Sequence, residues 1–328
     1  NQNFFIKNNL LDSCYTGLYY NYGTPDSIVG NDFTSCFNAM WFSNGNAVAG
    51  IRFDPLGTPG GENMNTFSDI RDYVFSFNGC RGIHIENWDF TTLFSAAGTE
   101  TKTPVQCSNV NYSYFGGNNI RNFYRGMYFA SNNTNDTIVN SDLGSANTNV
   151  NSRGIDLTSG SNQNFFIKNN LLDSCYTGLY YNYGTPDKIY ANDFTGSNNG
   201  IYLQSVTGFK LDSNNFEGLV TGIGISLYLC NTDTLTKAII HGSGGEAVRL
   251  NACNNIVTDS IISCGRGFGI RDVSSTCDNN KFLNSHFANM TSAGIRINGA
   301  TSDNNLIDGS VFSNNATDII DLGTGTVV

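Results

Sequence analysis

One short motif returns along nearly the whole chain. Its pattern is apolar-x-x-(Asn or small)-x-apolar, as in IKNNLL, IYANDF and LDSNNF. It begins at Ile6, Ile28, Ile70, Val110, Ile138, Ile167, Ile189, Leu211, Leu235, Ile256, Phe282 and Leu306. In the second half the spacings are 22, 22, 24, 21, 26 and 24 residues. Some 11–16 residues after an anchor, a small residue precedes apolar-x-apolar: GLYY, GMYF, GIDL, GIYL, GIGI, AVRL and GIRI. A unit this short holds two strands and their bends. It is too short for a βαβ unit, which needs about 30 residues including a helix, or for a propeller blade of about 40–50. A coil of about 23 residues suits a parallel β-solenoid, each coil lying about 4.8 Å above the last.

Composition agrees with this reading. Charged residues make up only 13% of the 328, and the chain is rich in Asn and Gly, which favour turns over helices. Asn tolerates the left-handed conformation of a tight bend, and stacked Asn amides can hydrogen-bond from coil to coil. Asn9, Asn31, Asn170, Asn192 and Asn214 are expected in one slot of successive coils. A longer repeat overlies the short one, since residues 1–26 recur letter for letter at 162–187.

In these Asn-bend motifs and G-apolar-x-apolar strands the chain resembles the right-handed parallel β-helix repeat proteins, the pectate-lyase-like superfamily. The resemblance implies an all-β fold, one right-handed parallel β-helix over residues 1–328 with about 12–14 coils. That superfamily includes polysaccharide lyases and hydrolases, phage tailspikes, adhesins and large surface proteins, so it implies no single function. Residues 51–66 and 88–107 break the period and are expected as loops or irregular coils. The second strand of the second coil is either AMWF at 39–42 or GIRF at 50–53.

In apolar-x-apolar the middle residue points outward. Those positions read Tyr19, Trp41 (or Arg52), His84, Tyr128, Asp156, Tyr180, Tyr202, Gly224, Arg249 and Arg296. Tyr19, Trp41, Tyr128, Tyr180 and Tyr202 form an aromatic stripe suited to stacking on sugar rings, although Tyr also favours strands for propensity alone. Arg81, Arg125 and Arg153 each precede a Gly of this pattern, with His84, Glu86, Tyr128 and Asp156 nearby. Arg can fork a uronate carboxylate, and His or Tyr can transfer a proton in β-elimination. Asp156 and Glu86 are alternatively a glycosidase pair, or the whole set is a solvated charge ladder.

The net charge of −10 offers no basic stripe to a nucleic acid. No apolar run reaches the roughly 18 residues of a membrane span. Nine cysteines, an odd number without a C-x-x-C pair, are expected as small buried hydrophobes rather than zinc ligands. No metal site or cofactor is expected. The chain opens at Asn1 inside a repeat and ends in GTGTVV, so it is expected to be a segment of a large repetitive surface protein. Its end coils would meet flanking segments or other copies, because bare strand edges invite pairing.

The leading expectation is an extracellular or cell-surface structural or adhesive β-helix that contacts polysaccharide through the Tyr stripe. The alternatives are a polysaccharide lyase or glycoside hydrolase near Arg81, His84, Tyr128 and Asp156, and a non-catalytic carbohydrate-binding module.

Overall fold

The computed structural model describes residues 5–22, 27–43, 52–53, 65–90, 103–121, 123–144, 152–158, 161–242, 244–274, 276–299 and 302–328. They form a right-handed parallel β-solenoid. The first and longest sheet, sheet I, runs through thirteen stacked strands, from Thr16–Asn21 at one end to Ile319–Asp321 at the other. Sheet II stacks eleven, from Arg52–Phe53 to Leu306–Asp308. The third side is a five-stranded sheet from Asn215–Phe216 to Val311–Ser313, and a three-stranded one near the N-terminus. Between them it narrows to single bridges linking Asp89, Asn119, Asp142, Leu171, Asp193 and Asn215. Among the described residues sheet I has thirteen rungs and sheet II eleven, which gives about eleven full turns where the period suggests 12–14.

The bends explain the Asn content. From His84–Glu86 onward, the residue after each strand of sheet II turns into the left-handed region, as at Asn87, Asn140, Asn169, Ser213 and Asn284. The residue directly after the bend turns its side chain inward. Asn170 Nδ2 donates to Asn192 Oδ1 at 3.0 Å, and Asn192 Nδ2 to Asn214 Oδ1 at 3.1 Å. The Asn pair in IKNNLL therefore divides two tasks, the first residue making the bend and the second the ladder. Glycines that open the strands of sheet I answer a different need. A Cβ at Gly126 would lie 2.4 Å from the Gly154 carbonyl oxygen, and one at Gly200 2.5 Å from that of Gly224.

Inside sheet II, Ile85, Phe115, Ile138, Ile167, Ile189, Leu211, Leu235, Thr258, Phe282 and Ile307 lie one above another. Ile6 pairs with Ile28 in a separate two-stranded sheet. Four expected anchors are displaced from this stack. Ile70, Val110 and Ile256 are buried, but they lie in bends, and Leu306 gives its place to Ile307. The bend residue, not the nearest apolar side chain, sets the register. Ser260 turns left-handed just after Val257–Asp259 and so puts the polar Thr258 in the core.

AMWF supplies the second strand of sheet I, and Arg52–Phe53 instead pairs with His84–Ile85 in sheet II. Residues 91–102 and most of 51–64 lie outside the described residues, which leaves those expected loops largely undescribed. No disulfide joins any two of the nine cysteines, and seven of them are buried.

Candidate functional site

The outward row of sheet I is Tyr19, Trp41, Ser76, Gln106, Tyr128, Asp156, Tyr180, Tyr202, Ser226, Arg249, Arg271, Arg296 and Ile320. It brings together most of the expected stripe and corrects it in three places. His84 belongs to sheet II, because GIHIE carries the same local pattern on another side of the coil. Gly224 yields to Ser226, since GIGI and GISL overlap by two residues and the second puts Leu227 beneath Leu250. Arg271 was missed because GIRD breaks the apolar-x-apolar rule. Asp272 takes the inward place there, and Ser302 Oγ donates to it at 2.8 Å.

The expected catalytic constellation is split by the same register. Arg81 lies over the ring of Tyr112 at 4.5 Å. His84 stacks on Tyr114 at 4.7 Å, and its Nε2 is 2.9 Å from Glu86 Oε2. These residues lie on or beside sheet II. Arg125, Tyr128, Arg153 and Asp156 lie on sheet I and do converge. Asp156 has no exposed surface, because Arg125 Nε and Arg153 Nη1 each reach its carboxylate at 2.9 Å. Thr158 Oγ1 donates to the same group.

From there the row continues as a column of flat groups. The Arg125 guanidinium lies 4.3 Å from the Tyr128 ring centre, and that of Arg153 3.6 Å from Tyr180. Tyr180 and Tyr202 stack at 5.1 Å with planes 7° apart, an offset arrangement that suits the ring quadrupoles. Burial pushes the Tyr202 hydroxyl pKa up, and that hydroxyl donates to Gln204 Oε1 at 3.2 Å.

At the next rung the column stops. Ser226 is too short to continue it, and Arg249 resumes the row beyond. Tyr202 and Arg249 are thus two rungs apart, about 9.6 Å, with Ser226 as the floor of the gap. The gap belongs to a groove of about 300 Å³ that also touches Arg153, Tyr176 and Asn199. Glu246, three residues before Arg249 on the same strand, is 3% exposed and holds both Arg249 Nη2 and Arg271 Nη1 at 2.7 Å. The EAVRL segment contained that pair in plain view, but Glu246 precedes the AVRL motif and was passed over.

Chemically, this face offers an aromatic ring surface, a ring-sized gap and fixed guanidiniums. Both carboxylates that contact the row, Asp156 and Glu246, are buried and each is held by two arginines. Neither reaches the gap as a free acid or base.

Among known families, the sequence model described as periplasmic copper-binding protein (NosD) matches residues 63–237, and that described as right handed beta helix region matches residues 199–328. No curated protein matches the chain significantly. Among solved structures, PfbA, a surface adhesin of Streptococcus pneumoniae, is 13% identical with a TM-score of 0.45, covering 95% of this chain and 82% of its own. DFA-IIIase from Arthrobacter chlorophenolicus A6 is 12% identical with a TM-score of 0.43, covering 94% and 82%. The A-module of the mannuronan C-5 epimerase AlgE4 of Azotobacter vinelandii is 12% identical with a TM-score of 0.35, covering 88% and 90%.

The copper in the first family description can be tested against the donors present. Among the described residues, no three His, Cys, Asp or Glu side chains converge to hold a metal ion. His84, His241 and His286 sit beside Glu86, Glu217 and Ser313 respectively, on different rungs. Thiols such as Cys36 and Cys253 donate to the carbonyls of Leu11 and Leu227, and burial pushes the Cys107 and Cys277 thiols up. A copper ion needs deprotonated or neutral donors facing one point. The described residues do not fit one.

Proposed function

We propose that this chain, which belongs to the β-helix family described as periplasmic copper-binding protein (NosD), is a non-catalytic scaffold outside the cytoplasm that binds glycans on sheet I. The gap over Ser226 carries this reading. One face of the Tyr202 ring is covered by Tyr180, and the other side borders a space the thickness of one sugar ring. Aromatic surface backed by polar groups at its edge is a common way to hold a ring with apolar faces and a polar rim. The burial of Asp156 and Glu246 in arginine pairs favours binding over hydrolysis, because a glycosidase needs one carboxyl group as acid and another as base or nucleophile at the bond. The family description supports placement in the periplasm, and an extracellular scaffold fits the same reading. End-to-end contact with other copies or flanking segments of the same protein belongs to the same scaffold reading.

The test is glycan-array binding followed by calorimetry. Tyr202→Ala should weaken binding by about tenfold. Ser226→Tyr should complete the column and block the gap without unfolding the protein. Glycan binding that both variants retain in full, or release of new reducing ends from a bound glycan, would overturn the proposal.

A further inference from the structure

The walls of the gap differ, and the difference says what kind of ring enters it. One wall is the neutral face of Tyr202. The other is Arg249, whose Nη2 is committed to Glu246 while its buried Nε has no hydrogen-bond partner. Arg271 and Arg296 follow on the next two rungs. Glu246 is the carboxylate shared by Arg249 and Arg271, and Arg296 Nε donates to the neutral amide of Asn298, at 3.0 Å. Across the row, the four guanidiniums of Arg125, Arg153, Arg249 and Arg271 share the two carboxylates of Asp156 and Glu246, and Arg296 adds a fifth positive charge. The whole chain is acidic, at −10. A local excess of fixed guanidinium on an acidic protein selects anions at that place.

The gap is also closed along the solenoid axis. Tyr180 and Tyr202 rise on one side of Ser226 and Arg249 on the other. A polymer laid along the axis would ride over both walls and leave the floor empty. A single ring entering from solvent fills it.

We propose that the gap over Ser226 takes one acidic sugar ring, a uronate at a chain end or branch, with its face on Tyr202 and its carboxylate on Arg249. This rests on the glycan-binding reading and adds charge and end-recognition to it. Arg153 borders the groove without being required to touch the ring, and Arg271 lies one rung beyond the Arg249 wall. Binding weakens as salt rises, because part of the attraction is between charges near the surface.

The experiment compares two probes by calorimetry: a disaccharide ending in glucuronate, and the same disaccharide with that carboxyl reduced to the alcohol. The native protein should bind the acidic probe at least about tenfold more tightly, the usual scale of a charge-assisted hydrogen bond. Arg249→Gln should remove that preference by weakening the acidic probe far more than the neutral one, while Arg249→Lys restores part of it. Circular dichroism and thermal midpoint report whether each variant is folded. Equal binding of the two probes by the native protein would overturn the acidic assignment and leave the glycan reading standing. So would a preference that survives in Arg249→Gln. Failure of both probes, and of every array glycan, to bind would remove the glycan reading and this inference together. Acidic polymers that bind equally well with their ends blocked, and lack acidic branches, would overturn end-recognition alone.

Discussion

Residues 5–22 and 166–183 have the same sequence and different surroundings. Their backbones agree closely. Asn8 and Asn169 have φ of 56° and 54°, Ser13 and Ser174 of 55° and 56°, and Tyr22 and Tyr183 of 63° and 59°. Tyr19 and Tyr180 both take the outward place on sheet I, against Trp41 and Tyr202. Burial does not agree. Ile167, Leu172 and Leu179 are fully covered, whereas Ile6, Leu11 and Leu18 remain partly open. Asn170 is buried and Asn9 exposed, and Tyr15 is 74% exposed where Tyr176 lines the groove.

The cause lies in the coil on the N-terminal side. Residues 136–144 and 152–157 lie against the second copy, where the backbone amides of Phe166 and Leu171 donate to the carbonyls of Asp136 and Ser141 at 3.0 and 2.9 Å. Local sequence therefore sets the shape of a coil, and the adjoining coil supplies most of its burial. That division is characteristic of solenoids, whose stability is a sum over repeats and their nearest neighbours.

The sharpest way to break this comparison is to cut the same side chain from both copies. Leu172→Ala should cost about 2–5 kcal/mol, because the cavity it leaves is enclosed on all sides. In a chain of residues 1–328, where part of the Leu11 side chain meets solvent, Leu11→Ala should cost about 1 kcal/mol or less. Denaturant midpoints of the two variants measure the difference. Equal losses would mean that coil shape, not neighbour contact, carries the energy.

A second pair separates the chemistry of the interior from its geometry. Asp233 and Asn280 occupy one slot, two rungs apart, each just before a strand of sheet II. Each accepts a backbone amide from the preceding rungs, Phe209 to Asp233 at 3.1 Å and Ile256 to Asn280 at 2.9 Å. Asn280 also donates to the Cys253 carbonyl at 3.2 Å, whereas Asp233 Oδ2 is buried without a partner. Burial raises the Asp233 carboxyl to about 8, with the Phe209 amide pulling it back in part. Its folded pKa thus lies above the unfolded value, so its contribution to stability is complete below about pH 4. That contribution falls as pH rises and is gone once pH passes about 8. Asp233→Asn removes this dependence and supplies the missing donor. Between pH 5 and pH 9 the variant should gain on the order of 3 kcal/mol relative to the native protein. Parallel pH profiles would show that the carboxyl is not held protonated by the fold.

These pairs also show why some of the molecule was legible in its sequence. A bend needs a residue that tolerates positive φ, and a stacked slot needs a side chain that can pair with its own kind, so Asn and Gly mark both. The coil, its repeat and the Tyr180, Tyr202, Arg153 and Asp156 column followed from those marks. Register within a coil was less visible wherever two readings fit one string. GIGI and GISL hid Ser226, the inward Asp272 hid Arg271, and the Gly-apolar pattern of GIHIE placed His84 on the wrong sheet. Ion-pair burial was not visible at all. Asp156 looks outward by parity, and only the arginines folded over it on its own and the preceding rung remove it from solvent.

The gentlest test moves the comparison from stability to binding. Tyr19 and Tyr180 share sequence context, strand and outward direction, but differ in what they support. Tyr180 is held between the Arg153 guanidinium, at 3.6 Å, and the Tyr202 ring, at 5.1 Å, so it fixes the ring that walls the gap. Tyr19 is 57% exposed and meets Trp41 at 59°, six rungs from Tyr180. Removing the Tyr180 ring leaves Tyr202 with one open face and more rotamer freedom, which costs about 0.5–1 kcal/mol of pre-organisation. Tyr180→Ala should therefore weaken binding of the glucuronate probe about two- to fivefold, with Arg249 still setting the preference for acid. Tyr19→Ala should leave that affinity unchanged. A loss of the same size in both variants would mean that the ligand runs along the whole aromatic row, and that Ser226 is not where it is held.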